Sequence, residues 1–482
     1  MMFNWSVVSL EMVSVGMALT LLVLGMVFPA LRTKNVLGGL SIAGLLVMLA
    51  GSFLLSHADA KSFVNGFYVL DSFSLFFKQI FMGSALFVVL LSLSYLKPGT
   101  TNRGDFFAFI FFALTGMMMM ASSVEFATLY VGLELMTLTF VLLTAYKKED
   151  LKSGEAGLKY CLLSAVSSGV FLYGISLVYG LTGHLDFLSI TQVLAHMSSP
   201  LLIWAIVMVL AGVGFKIALV PFHMWSPDIY EGAPAPISAF LAVGSKAAGF
   251  VVVIRVLFQI FGAFNTLFMP LVVTLAVLTL LIGNLIAVAQ THLKRLMAYS
   301  SIAHAGYMIL GMIAYSTLGL GALLYYLFLY LFATIAAFAV VVVLVRQTGN
   351  DQIADLSGLW KRSPFTSSVL LISLLSLAGI PPTAGFMGKF YLFTEVARQG
   401  YLWLAVIAVG MSLVAIYYYL LVIRTALSGS STDQAETSSP IQIPLSLALV
   451  MVLSSAMTLV MGIFPNFFIS YTLNIAQKFL GG

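Results

Sequence analysis

The chain has 482 residues, of which 61% are apolar and only 8% charged, with a formal net charge of +5. An ordinary soluble domain carries about 25% charged residues, so water cannot be the solvent for most of this surface and the chain belongs in a lipid bilayer. The single Cys161 excludes an internal disulfide, and the sequence has no CxxC to hold an iron–sulfur cluster or a structural zinc.

A spanning helix needs about 20 apolar residues to cross roughly 30 Å of hydrocarbon, and runs of that length recur from end to end. In chain order they predict spans at 10–30, 37–56, 73–95, 105–121, 124–146, 158–182, 201–222, 235–261, 267–290, 295–313, 318–345, 366–397, 402–425 and 444–470. The expected fold is therefore an all-α, polytopic bundle of about fourteen helices, with tight turns near Ser122 and Tyr315. The first run carries Glu11 at its start, with no basic segment before it and no small-residue cleavage site, so it is expected to stay as a span. Leu427 to Pro440 is the most polar segment and reads as a solvated loop.

Lysine and arginine near span ends stay on the cytoplasmic side. One set of alternate loops and span ends holds Arg32, Lys34, Lys97, Arg103, Lys147, Lys148, Lys152, Lys159, Lys294, Arg295, Arg346, Lys361, Arg362 and Arg424. The other holds only Lys61, Lys78, Arg398 and Lys478. Fourteen against four supports an even span count with both termini outside the cytoplasm. It also explains the basic excess as topology and lipid contact, with no nucleic-acid partner.

The remaining basic residues, Lys216, Lys246, Arg255 and Lys389, lie inside spans, as does Glu134. Glu134 lies roughly 14 Å along its helix from Glu125, close to the middle of the bilayer. Charges at that depth cost about 2.5 to 3.5 kcal/mol each, so Glu134, Lys216, Lys246 and Lys389 together cost on the order of 10 kcal/mol, comparable to the whole stability of a domain. A snorkelling or structurally paired charge is the bland alternative, and it fits Arg255, near a span end. For the other four, function is the better reason to carry the cost.

Two of the lysines stand beside helix breakers. Gly212, Gly214 and Pro221 flank Lys216, and Gly379, Pro381, Pro382, Gly385 and Gly388 precede Lys389. Proline removes a backbone hydrogen bond and clashes with the preceding turn, so both spans are expected to be interrupted. Broken spans in two oppositely oriented halves point to a transport site between inverted repeats. Gly212-Val-Gly214 is not the opening of a dinucleotide loop, because Ile217 replaces the third glycine and the setting is apolar helix. Among the histidines, His304 is the candidate proton relay, with Ser300, Ser301 and Tyr307 at helical spacings around it; a core histidine bonded to a serine is the equal alternative. His223 has helix-end character and reads as structural, while His57, His184, His196 and His292 fall in or near loops. The Met117–Met120 run reads as packing.

The stretch from Phe215 to Pro236 (FKIALVPFHMWSPDIYEGAPAP) resembles the signature of the antiporter-like membrane subunits of bacterial NADH:quinone oxidoreductase, respiratory complex I, and most of all the subunit N branch. Leu133-Glu134-Leu135, Leu158-Lys159-Tyr160, Lys294 to Ser301, and Ala378 to Tyr391 match in the same order, so the resemblance covers essentially the entire chain. Lys246, where the related L and M subunits usually carry histidine, favours the N branch, as does a chain that ends soon after its last span.

The resemblance implies three N-terminal spans (1–104), two inverted five-helix repeats (105–261 and 267–425), each with one broken helix, and a last span at 444–470. It implies Glu134 and Lys216 as a charge pair, Lys246 as the connecting lysine and Lys389 as the terminal group of a proton path. It also implies a multi-pass protein of the bacterial cytoplasmic (inner) membrane with both termini periplasmic, lying beside other antiporter-like and small membrane subunits. This chain would hold no cofactor; NADH, FMN, iron–sulfur clusters and quinone would belong to partner subunits. The nearest rival is a subunit of an Mrp-type cation/proton antiporter, and a non-transporting scaffold is disfavoured by the cost of the buried charges.

Overall fold

A computed structural model describes residues 5–28, 35–55, 61–63, 67–96, 103–195, 197, 199–428 and 441–481. Arg32, Lys34, Lys97, His57, His196 and residues 429–440 of the expected loop lie outside the described residues, as does the side chain of Lys61.

The chain begins with α1 (Ser9–Val27) and α2 (Val36–Leu55), then a short antiparallel hairpin of β1 (Lys61–Phe63) and β2 (Tyr68–Leu70). Next come α3 (Ser72–Tyr95), α4 (Arg103–Ser122), α5 (Phe126–Thr144), α6 (Leu151–Thr182) and the short α7 (Phe187–Leu194). A broken helix follows as α8 (Pro200–Lys216) and α9 (Trp225–Gly232), and then α10 (Ala235–Ile260), which contains two π-helical turns. The second half comprises α11 (Asn265–Ala287), α12 (Leu293–Ile313), α13 (Thr317–Thr348), a second broken helix as α14 (Pro364–Ala378) and α15 (Ala384–Arg398), and α16 (Leu402–Leu427). The chain closes with α17 (Leu445–Ile463) and α18 (Pro465–Gly481). Among the described residues twelve helices are long and apolar enough to cross a membrane, and the two shorter apolar helices α8 and α14 belong to the broken spans, so the fourteen expected crossings are accounted for.

Helix starts follow local chemistry. Asp71 and Ser74 form a reciprocal capping box at α3; Glu125, Asp186, Ser316 and Ser363 accept backbone N–H groups at the starts of α5, α7, α13 and α14. Both tight turns expected near Ser122 and Tyr315 are present, closed by a bridge from Ser123 to Tyr68 and by a left-handed Tyr315 (φ 44°). The usual inside-out rule is inverted: Leu54, Val166, Trp204, Leu413 and many other large apolar residues are exposed on the outer helices, whereas α10, α12 and α13 are almost wholly buried at the centre. Lipid takes the place of water around this girdle.

The two broken helices run in opposite directions. On one face, called here the hairpin face, the ends of α4, α5 and α7 meet β2 through the Tyr68–Ser123 and Glu125–Asp186 bridges. On the other, the Asp228 face, α9 meets α6 and α12. Helix α8 starts beside α7 and leads toward the Asp228 face, whereas α14 starts beyond Arg362 and α15 ends at Arg398, just before Gln399 and Tyr401, which lie beside Tyr315.

Two details depart from the expectation. The last apolar run does not continue to residue 470: it stops at Ile463, and Pro465 starts a separate amphipathic helix, α18, whose Phe479 stacks on Phe73 at 4.3 Å. A window of mean hydropathy cannot see this bend, because both helices are apolar on one side. Lys78 is not a loop-side charge either; it is fully buried in the second turn of α3 and paired with Glu11 at 2.6 Å.

Candidate functional site

Lys216, Lys246, His304 and Lys389 are all buried, with 3%, 3%, 2% and 4% of their surfaces exposed. The three lysines each stand where the backbone departs from a regular α-helix or touch such a place. Lys216 is the last residue of α8; Ala218 then turns left-handed (φ 58°), and Val220–Pro221 is a cis peptide. The carbonyls freed by this break are satisfied: Trp225 Nε1 donates to Phe215 O at 2.8 Å and Leu219 N to Gly214 O at 2.8 Å. Val220 N donates to Thr279 Oγ1 at 3.0 Å, which ties the break to α11 of the second half.

The Lys216 ammonium donates to Thr137 Oγ1 at 2.7 Å, and Thr137 donates to Leu133 O. Thr137 lies one turn beyond Glu134 on α5. Glu134 itself is half-buried, and its Oε1 is buried without a hydrogen-bond partner. The expected Glu134–Lys216 charge pair is therefore not closed in this arrangement; the Lys216 ammonium bonds the threonine one turn along from Glu134 instead. On the other side of the break, Gly249 of α10 lies so close to Ile217 that a methyl group there would come within 2.5 Å of its side chain. Lys246 is one turn away on the same helix, directly after the π-helical turn Leu241–Ser245. Such turns are frequent at functional sites.

From Lys246 the polar groups continue along α12. Lys246 Nζ donates to Ser301 O, and the Tyr230 and Ser301 hydroxyls lie 3.5 Å apart. Ser300 Oγ bonds the Tyr419 hydroxyl, which lies 3.4 Å from His304 Nε2, while His304 Nδ1 pairs with the Tyr326 hydroxyl at 2.7 Å. The Tyr330 and Tyr307 rings lie 5.0 and 5.8 Å from the imidazole. Tyr307 then faces the last lysine, with Lys389 Nζ 4.7 Å from its ring centre. Asn284 accepts from Tyr418 at 3.4 Å and donates to the Tyr307 hydroxyl at 3.3 Å, fixing the ring that meets Lys389.

Lys389 reaches back across the second break. Its ammonium donates to Leu377 O at 3.0 Å, Ala378 O at 2.8 Å and Ser412 Oγ at 2.9 Å, capping the carbonyl end of α14, where the helix dipole is negative. The break needs its glycines. Gly379 is left-handed (φ 86°), and a methyl group on it would come within 2.9 Å of the Lys389 side chain. Pro381–Pro382 is a cis peptide between the half-helices.

The structure thus brings Lys216, Lys246, His304 and Lys389 into one buried row, with Pro221, Pro381 and Pro382 at its two breaks. Among the described residues, no carboxylate lies within ion-pair distance of the three lysines, whose partners are neutral oxygens. A neutral oxygen accepts a hydrogen bond from an amine as well as from an ammonium, so the same geometry serves both protonation states. Arg255 differs: it donates to Ala121 O at 3.0 and 2.6 Å, faces Asp71 at 3.5 Å and lies against Phe73 and Phe479, which fits an anchoring role. His223 sits at the turn between α8 and α9, its Nδ1 buried without a partner.

Reading the sequence missed Thr137, Asn284, Ser412 and the tyrosines 230, 326, 330, 418 and 419. The adjacent pairs Tyr325-Tyr326 and Tyr418-Tyr419 inside apolar spans were the available signal, since a buried phenol needs a hydrogen-bond partner. No group of His, Cys, Asp and Glu among the described residues could hold a metal ion.

On the Asp228 face a charge cluster locks α9 to its neighbours. Asp228 accepts from Lys159 at 2.9 Å and Arg295 at 2.8 Å, and Arg295 also reaches Glu231 at 3.0 Å. Burial opposes ionisation of Asp228, but hydrogen bonds from Lys159 and Arg295 outweigh it and hold the carboxyl below the ordinary aspartate range. A depressed folded-state value contributes stability that is present above the unfolded value and lost as pH falls through the folded one. Acidification below about pH 4 is therefore expected to loosen α9 from α12. Asp228→Asn should remove that acid-dependent step from the thermal-stability profile of the purified assembly; an unchanged profile would assign the step to other carboxylates.

The family model for the transmembrane region of NADH:quinone oxidoreductase and Mrp antiporters matches residues 123–415. NADH-quinone oxidoreductase subunit N of Moorella thermoacetica is 43% identical over 479 residues, covering 99% of each chain, and that of Desulforamulus reducens is 44% identical over 481 residues, covering all of both. A chain of respiratory complex I from Thermus thermophilus superposes with a TM-score of 0.80 at 32% identity, covering 96% of this chain and 98% of that one. A chain of the Mrp complex of a Dietzia species superposes with a TM-score of 0.87 at 21% identity, covering 99% and 98%, a likeness of fold alone. The chain belongs to the antiporter-like transmembrane family of NADH:quinone oxidoreductases and Mrp antiporters, on the branch of the subunit N proteins.

Proposed function

We propose that this chain is a proton-translocating membrane subunit of a bacterial NADH:quinone oxidoreductase, carrying protons along Glu134, Lys216, Lys246, His304 and Lys389. The observation that carries the reading is the series of titratable and hydroxyl groups that runs from Lys246, bonded to the Ser301 carbonyl, through Ser300, Tyr419 and His304 to the Tyr307 ring and Lys389, spread across the two halves 105–261 and 267–425. The chain itself performs no redox step and holds no cofactor; NADH, FMN, iron–sulfur clusters and quinone belong to partner subunits of the complex. Quinone reduction there biases two arrangements of the row. Glu134, with one free carboxylate oxygen, and Lys216, bonded instead to Thr137, supply a switch that can close and reopen. Both termini lie on the periplasmic side of the inner membrane, which agrees with the distribution of lysine and arginine.

The alternative, a subunit of an Mrp-type antiporter, draws on the shared fold, but full-length identities of 43 and 44% to subunit N proteins favour complex I. The test is to place Glu134→Gln and Lys216→Met separately in the assembled complex in inverted membrane vesicles. Both are expected to lower quinone-linked proton pumping while NADH oxidation by an artificial electron acceptor continues. Full pumping in both variants would refute the assigned path.

A further inference from the structure

The buried Glu11–Lys78 pair lies outside the row and has no role in it. Glu11 stands in the first turn of α1, Lys78 in the second turn of α3, and they meet at 2.6 Å near the hairpin face. Tyr68 of β2 donates to the same oxygen, Glu11 Oε1, at 2.6 Å, and its ring lies 5.5 Å from the Lys78 ammonium. Ser122, at the end of α4, stands beside the Tyr68 hydroxyl.

Three atoms of this cluster are buried without a hydrogen-bond partner: Glu11 Oε2, Lys78 Nζ beyond its ion pair, and Ser122 Oγ. An ammonium has three donors and a carboxylate oxygen has room for two, so the shortfall is real, and buried polar groups in native proteins are normally satisfied. Their chemistry says what would satisfy them. The ligand must accept from Lys78 and donate to Glu11 Oε2. The charges around it, Glu11 and Asp71 against Lys78 and Arg255, balance, so neither an anion nor a cation is favoured. A neutral molecule that both donates and accepts and fits between packed helices is water. Further in, Ser14 donates to Phe111 O at 3.0 Å and accepts from Thr115 at 2.9 Å, continuing the polar groups one turn deeper.

We propose that Glu11, Lys78, Tyr68 and Ser122 form a second, hydrated proton-handling site at the hairpin face, with water and the proton it carries as its ligands. The inference rests on the proton-translocating reading above. In the elementary step the Lys78 N–H bond breaks and a Glu11 O–H bond forms across the 2.6 Å contact, turning a charged pair into a neutral one with no change in net charge. The neutral carboxyl then turns so that water on its Oε2 side takes the proton as hydronium, leaving the Glu11 carboxylate, and a second hydronium arriving through the hydrated site gives its proton to the Lys78 amine and is left as water.

The test uses the whole complex in inverted vesicles with Glu11→Gln, Lys78→Met and the double variant, and reads protons pumped per NADH oxidised. Removing one partner of a buried pair leaves an uncompensated charge, whereas replacing both is often neutral for stability, so the double variant separates folding from function. The expected result is a lower ratio in the double variant as well as in either single variant that assembles. A double variant that pumps at the parent ratio would make the pair structural and overturn the site. Turnover should also reveal a carboxyl infrared band that is missing in Glu11→Gln, and a parent complex without such a band would overturn it too. Lys246→Ala in the same vesicles keeps the two readings apart, since unchanged pumping there would overturn the central row instead.

Discussion

Lys246→Ala is expected to lower quinone-linked proton pumping by roughly a hundredfold or more, the low end of what losing a positioned proton carrier costs. Lys246 lies between the two broken helices: its helix packs on the break after Lys216 through Gly249, and its ammonium bonds the Ser301 carbonyl of the helix that carries His304. Without it the path is cut between its halves, and no other cation bonds Ser301 O among the described residues. The replacement series is more telling than the alanine. Arginine keeps the positive charge but does not release its proton, so Lys246→Arg should be as poor as alanine, while Lys246→His, which titrates near neutral pH, should recover part of the activity. Full pumping in Lys246→Arg would show that the position needs charge rather than proton exchange.

Gly385→Ala should have the largest effect on assembly. Gly385 begins the second half of the broken helix against the Ser376 carbonyl of the first half, and its Cβ would overlap that oxygen outright. The neighbour is backbone, so no rotamer change relieves the clash. Overpacking typically costs 1 to 3 kcal/mol, and a collision with a fixed backbone should reach or exceed about 3 kcal/mol. Half-helices forced apart would also withdraw Lys389 from Leu377 O and Ala378 O. The expected outcome is loss of assembled complex on native gels. Gly410→Ala serves as the control, since nothing lies within 4 Å of its would-be methyl and alanine is the better helix former. Normal amounts of complex with Gly385→Ala would mean that the break does not need this close approach.

Hydropathy alone located the crossings, because the bilayer demands long apolar runs and allows few alternatives to helix. Lysine and arginine bias indicated their alternation, and glycine and proline beside lysine marked both breaks. The buried charges Glu134, Lys216, Lys246 and Lys389 stood out for the same reason, their cost in lipid. Lys78 escaped because a cation near a span end is indistinguishable in sequence from one that snorkels, and only the tertiary structure brings Glu11 of α1 to it. The bend at Pro465 escaped because α17 and α18 are both apolar enough to read as one run.

The solvent of this protein, the number of its crossings, the places where two of them break and the charges it carries at depth all follow from local composition and are legible along the chain. The tertiary structure decided which groups meet. That Lys216 leans on Thr137 rather than Glu134, that tyrosines from four different helices surround or extend the contacts of His304, and that Lys389 caps the carbonyl end of α14 are facts of long-range contact. A hydrogen bond depends on tenths of an ångström between residues far apart in the chain, and no local pattern encodes that distance.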